Sequence, residues 1–157
     1  VDPSFVFRPE AALLPLVTRV SNAIHLRLAK LLELEGADLT PEQAMTMRMI
    51  MSFNVDSVTK LADVMLKDRT TVTRFVEQLV VRGYVLREKS AQDQRATVLK
   101  LSSEGRELMF RVIPRLERDA ASLFSGLPAG DVIATNRVLH SLLHRCNLPL
   151  EEQSEGN

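Results

Sequence analysis

The sequence predicts a mainly α-helical chain interrupted by one small β-hairpin. Two observations carry that reading. Apolar residues recur every three or four positions over most of the 157 residues. Between Tyr84 and Ser102 this pattern gives way to "YVLREK" and "TVLKLS", two short segments of strand character around the polar stretch "SAQDQRA".

The elements follow in order. A first long helix is expected over Glu10 to Glu35, with Leu13, Leu14, Leu16, Val17, Val20, Ile24, Leu28, Leu31 and Leu32 forming a broad apolar stripe, and Gly36 ending it. That stripe is wider than a lone surface helix needs, and a second subunit is a natural cover for it. In "LTPEQAMTMRMIM" Thr40 is the N-cap, Pro41 the first helical residue and Gln43 the far side of a capping box. Met45, Met47, Met49 and Met51 spread around this helix; flexible core filling is the first reading and an adaptable pocket the second. Ser57 caps the short helix "SVTKLADVML", Leu66 and Lys67 break it, and Asp68 caps a longer helix over Arg69 to Arg82 that Gly83 closes. After the hairpin, Ser102 caps a helix to about Phe124, with Pro114 set to kink it or be absorbed locally. Asp131 to Cys146 forms the last helix, and the polar tail "EEQSEGN" frays.

Composition narrows the function. With 45% apolar and 25% charged residues, the chain is long enough to bury a core and has the balance of a soluble globular protein. No apolar run approaches the length of a membrane span, and "VDPSFVFRPE" lacks the layout of a secretory signal. A single cysteine, Cys146, excludes an internal disulfide framework and fits a reducing cytoplasm. The net charge is zero, yet Ser57 to Leu101 holds nine Lys/Arg against five Asp/Glu, a local +4 that suits a polyanionic partner. A solvated charged face is the alternative explanation.

Two helices joined by a short break and followed by a hairpin make the layout of a winged helix-turn-helix. On the second helix Val72, Phe75, Val76 and Leu79 face inward, and Thr70, Thr73, Arg74, Glu77 and Gln78 face outward. Arg69, Thr70, Thr71 and Arg74 open that helix with groups able to donate to phosphates and base edges, beside free N–H groups that favour anions. A hairpin tip presenting Arg95 has little use in a core, whereas the narrow minor groove of A·T-rich DNA attracts such an arginine. Asp93 would orient Arg95, and Lys89, Ser90 and Gln94 would supply phosphate contacts.

"LADVMLKDRTTVTRFVEQLVVRGYV" followed by "DQRATVLKLSSEGREL" resembles the MarR family of bacterial transcriptional regulators, strongly over Leu39 to Leu108 and in helix placement on either side. Many relatives carry glycine in the break where this chain has Leu66. The resemblance implies a homodimer whose first and last helices interlock, with residues 1–38 a dimerisation helix, 39–101 the DNA-binding lobe and 102–157 completing the dimerisation region. It implies a repressor of a pseudo-palindromic operator in double-stranded DNA, with recognition helices about 34 Å apart. Thr70, Thr71 and Arg74 would then meet the major groove and Arg95 the minor groove. It also implies release by a small, often aromatic effector or by thiol oxidation. Fold analogy puts the effector near His25, Met47 and Met51.

Other signals are weaker. His140 and His144 share a zinc-compatible spacing without a third ligand, and Cys146 has only Arg145 beside it. No cofactor motif or nucleophile–base pair stands out, so no enzyme is expected. The rival readings are a winged-helix module that binds protein, and a small-molecule sensor that no longer binds DNA.

Overall fold

The computed structural model describes residues 9–53, 55–89 and 97–146. Six helices and two strands occur in the order α1 (Pro9–Leu34), α2 (Pro41–Phe53), α3 (Val58–Met65), α4 (Arg69–Val81), β1 (Val85–Lys89), β2 (Thr97–Leu101), α5 (Ser103–Phe124) and α6 (Ala129–Cys146). The chain divides into two compact units, one ending at Glu117 and one beginning at Arg118.

The predicted caps are present. The hydroxyl of Thr40 accepts from the Gln43 backbone N–H at 3.3 Å while Gln43 Oε1 accepts from Thr40 N–H at 3.0 Å, the two halves of a capping box. Ser57 accepts from Lys60 N–H, and Asp68 from Thr71 N–H at 2.8 Å. Three helices end in the same hydrogen-bonded motif, in which a residue in the left-handed region lets the next N–H reach back five residues. Gly36 (φ 66°) sends Ala37 N–H to Leu32 O, and Gly83 (φ 74°) sends Tyr84 N–H to Leu79 O. At the end of α3 the same position is Leu66, with φ 51° and ψ 46°, and Lys67 N–H reaches Ala62 O. A leucine there costs about 1–2 kcal/mol that a glycine would not.

The core of the first unit is built from one face of each element. Leu32 of α1, Ala44, Met47 and Ile50 of α2, Leu61 and Ala62 of α3, Val72, Val76 and Leu79 of α4, Val85, Leu99 and Leu101 of the hairpin, and Leu108, Met109 and Val112 of α5 are buried together. The strands pair antiparallel, from Val85 opposite Leu101 to Lys89 opposite Thr97, and Glu88 bonds Lys100 at 2.7 Å on the open face. Leu99 N–H also donates to Asp56 O at 2.7 Å, tying the α2–α3 connection to the hairpin. Arg115 bonds Glu35 at 2.7 Å across α5 and the end of α1.

The junction of hairpin and α5 is tight. The Ser102 hydroxyl donates to Gly83 O at 2.6 Å and accepts from Gly105 N–H at 2.9 Å, and Ser102 N–H donates to Tyr84 O. A Cβ at Gly105 would run into the Tyr84 carbonyl, so no other residue lets α5 start this close to β1.

Helix bounds depart slightly from expectation. The last helix begins at Ala129, two residues before Asp131, because Pro128 O accepts the N–H groups of Asp131 and Val132. Pro114 lies inside an unbroken α5, and Pro15 lies inside α1. In the second unit no described residue of α6 is buried, and Ile133, Val138, Leu139 and Leu143 are exposed.

Candidate nucleic-acid interface

The wheel predicted for the recognition helix holds. Val72, Val76 and Leu79 are fully buried and Phe75 half-buried, while Arg69, Thr70, Arg74, Glu77 and Gln78 are exposed. Spacing of three and four residues places this exposed row along one side of α4, and burial of the opposite row fixes its rotation in the lobe.

The outward hydroxyls are not equivalent. Thr71 donates to Asp68 Oδ2 at 2.6 Å, and its backbone N–H occupies Asp68 Oδ1. Thr73 donates to Arg69 O at 2.7 Å. Both hydroxyl protons are thus used inside the helix, leaving these threonines their oxygen lone pairs and methyl groups as outward chemistry. The Thr71 hydroxyl and N–H hold the Asp68 carboxyl below its ordinary range, so the cap stays ionised through neutral pH. A carboxylate at the first turn would repel phosphate, but this one is turned into the helix end. Arg69 and Arg74 are the exposed cations of the face, the Arg74 guanidinium carbon lying 6.0 Å from the Phe75 ring centre.

Lys89 stands exposed at the end of β1, where the hairpin leaves the lobe. Ser90, Asp93, Gln94 and Arg95 lie outside the described residues, so the predicted pairing of Asp93 with Arg95 has no geometry here. The three residues assigned to an effector stand at different depths: Met47 is fully buried, Met51 half-buried and His25 exposed. His25 Nε2 lies 2.8 Å from Glu42 Oε1, linking α1 to the first turn of α2. Burial pushes the Glu42 carboxyl up, but its own backbone N–H and His25 outweigh this and hold it low. An open groove of about 610 Å³ lies elsewhere, lined by Gly36, Tyr84, Glu104, Glu107, Leu108, Phe110 and Arg111. Among the described residues no three His, Cys, Asp or Glu side chains gather into a metal site, and no helix is long and apolar enough to cross a membrane.

One polar network escaped the sequence. Gln43, 2% exposed, donates from Nε2 to Gln78 Oε1 at 2.7 Å and accepts at Oε1 from Arg82 Nη1 at 3.3 Å. Arg82 also donates to Asp38 O and lies 3.4 Å from the Asp38 carboxylate. The capping box was visible in "TPEQ"; partners 35 and 39 residues away were not.

Comparison with known proteins bears on the same region. The model of the MarR family matches residues 39–97. The transcriptional repressor MprA of Escherichia coli K12 is 30% identical over 77 residues, which are 49% of this chain and 44% of that protein, so the likeness spans less than half of the relative. Among solved structures, a Staphylococcus aureus MepR–DNA complex superposes with a TM-score of 0.76 at 20% identity, covering 83% of this chain and 94% of that one. A MarR family transcriptional regulator from Silicibacter pomeroyi gives 0.76 at 24% identity, covering 92% and 99%. At these identities the structural likeness is one of fold. Sequence match and fold coincide on the helix-turn-helix and its hairpin: residues 39–97 match the MarR family, and the solved structures share the fold.

Proposed function

We propose that the protein is a homodimeric, sequence-specific regulator of transcription that binds double-stranded DNA, acting as a repressor at a pseudo-palindromic operator. The observation that carries this reading is the exposed row Arg69, Thr70 and Arg74, with half-buried Thr73 beside it, held outward by burial of Val72, Val76 and Leu79. On the expected docking of such a lobe, Thr70 and Arg74 read base edges in the major groove, Thr71 and Thr73 offer methyl and lone-pair contacts, and Arg69 and Lys89 hold phosphates. Arg95, oriented by Asp93, enters the minor groove, with Ser90 and Gln94 on its flanking phosphates. The MarR family match over residues 39–97 and the likeness in fold to a DNA-bound relative support this docking.

Self-association is supported by apolar residues exposed along α1 and along α6. Leu14, Leu16, Val17, Val20 and Ile24 are exposed along α1, as are Ile133, Val138, Leu139 and Leu143 along α6. Such stripes need a partner in water, and a two-fold dimer presents two lobes to one duplex. Residues 1–38 and 102–157 then form the dimerisation region and 39–101 the reading lobe, in a cytoplasmic protein that is not an enzyme. Release by a small aromatic effector, bound near His25, Met47 and Met51, completes the scheme.

Selection from a random duplex pool at two salt concentrations tests it. Enrichment of a two-fold site with half-sites about one helical turn apart, bound less tightly as salt rises, is the expected result. A pool that stays unenriched, with weak binding even at low salt, favours a protein-binding module instead.

A further inference from the structure

The buried amide of Gln43 sits where three segments meet. It bonds the start of its own helix through Thr40, the last turn of the recognition helix through Gln78, and the end of that helix through Arg82. Arg82 in turn is fastened to Asp38 in the α1–α2 connection. An amide offers two acceptor positions and two donors, and here both acceptor positions and one donor are engaged. Apolar packing at Val72, Val76 and Leu79 sets the rotation of α4 and resists large shifts along its axis, but methyl and methylene contacts carry no preferred direction. Hydrogen bonds at 2.7–3.3 Å are directional. They act at the C-terminal end of α4, away from the Asp68 cap at its other end.

From this geometry we infer that Gln43 is a positioning residue for DNA reading: it touches no base, and it fixes the axial register of α4 by locking Gln78 and Arg82 to the first turn of α2. The inference rests on the DNA-binding reading above. Neighbouring Glu42 lies 2.8 Å from His25 of α1, so the same turn is also tied to α1. Gln78, exposed on the outer face, therefore serves as an internal strut.

Two variants separate positioning from mere stability. Gln43→Met keeps the length and volume and removes the bonding. Gln43→Glu keeps an acceptor for Thr40 N–H and Arg82, and the exposed Gln78 amide can turn to donate to the new carboxylate. Binding of the selected duplex and of a scrambled duplex is measured well below the melting temperature of each variant. In Gln43→Met, affinity for the selected site falls about tenfold while that for scrambled DNA changes less than about twofold, the size an orphaned buried donor implies. Gln43→Glu restores the ratio. Equal losses on both duplexes, or an unchanged ratio, overturn the inference.

Hydrogen exchange of the free protein gives a reading that needs no DNA. Amides from Gln78 to Tyr84 should exchange about tenfold faster in Gln43→Met while those of Val58 to Met65 keep their rates. Uniform acceleration across the lobe overturns positioning. Failure of the wild-type chain to bind any duplex overturns the regulator reading itself, and the exchange pattern still decides whether Gln43 holds α4.

Discussion

At the residue scale, the lobe depends on a few positions where backbone comes close to backbone. Gly105 is the sharpest: Gly105→Ala places a methyl against the Tyr84 carbonyl and 3.1 Å from its carbon, and neither strand nor helix has a flexible end to yield. The better helix propensity of alanine offsets only part of this. We expect a net loss of about 1–3 kcal/mol in urea denaturation; an unchanged midpoint would mean that α5 and β1 shift apart freely. Asp68 gives a prediction in pH. Its carboxyl is held low in the folded lobe by the Thr71 hydroxyl and N–H, so its stabilisation is fully present above the unfolded value near pH 3.9 and is lost as pH falls through the lower folded value. Asp68→Asn keeps an acceptor and removes the titration. The stability gap between wild type and variant should be constant from pH 7 to 5 and close below about pH 4; a gap that persists in acid would show that charge is not what distinguishes the two caps. Caps and turns such as these were legible in the sequence because their chemistry is local. Serine, threonine or aspartate three residues ahead of an N–H needs no knowledge of the rest of the fold.

At the scale of elements, the recognition helix and hairpin were readable by period alone, since burial of every third or fourth residue in α4 and of alternate residues in β2 follows from the backbone repeat. The division of labour along α4 was not readable. Thr71 and Thr73 spend their protons on Asp68 and Arg69, which leaves Arg74 as the main outward donor of the second turn. Arg74→Ala should therefore weaken binding of the selected site by about 1–3 kcal/mol and relax preference at one base pair, as removal of a bidentate contact does. A uniform loss on all duplexes, with a salt slope smaller by about one, would move Arg74 to a phosphate. Long-range polar contacts such as Gln43 with Gln78 stayed hidden because glutamine has no period and no preferred separation. Leu66 stands where many relatives carry glycine, and its left-handed backbone, which no sequence pattern reveals, explains why glycine suits that place.

At the scale of the whole molecule, the apolar rows of α1 and α6 matter most. The sequence predicts an α1 stripe wider than a lone surface helix needs, and the structure leaves Val20 and Ile24 about half exposed. Charges placed there, as in Val20→Glu with Ile24→Glu, should abolish the proposed dimer while leaving the circular dichroism of the lobe intact. Light scattering would report a monomer, and affinity for a two-fold site would fall toward that of a single half-site. A double variant that remains dimeric would put the interface elsewhere.

Ser102 and Gly105 have a consequence for control. The staple ties the exit of α4, the root of β1 and the first turn of α5 into one joint through Ser102 and the close approach at Gly105. Recognition helix and hairpin thus behave as two tines of one fork with α5 as its shank. Whatever turns the shank swings both tines through the same angle, so neither grip can be loosened by itself. If the proposed dimer forms, a displacement of the first turn of α5 would be felt at the end of α4 and the root of β1 together, because Ser102 ties all three.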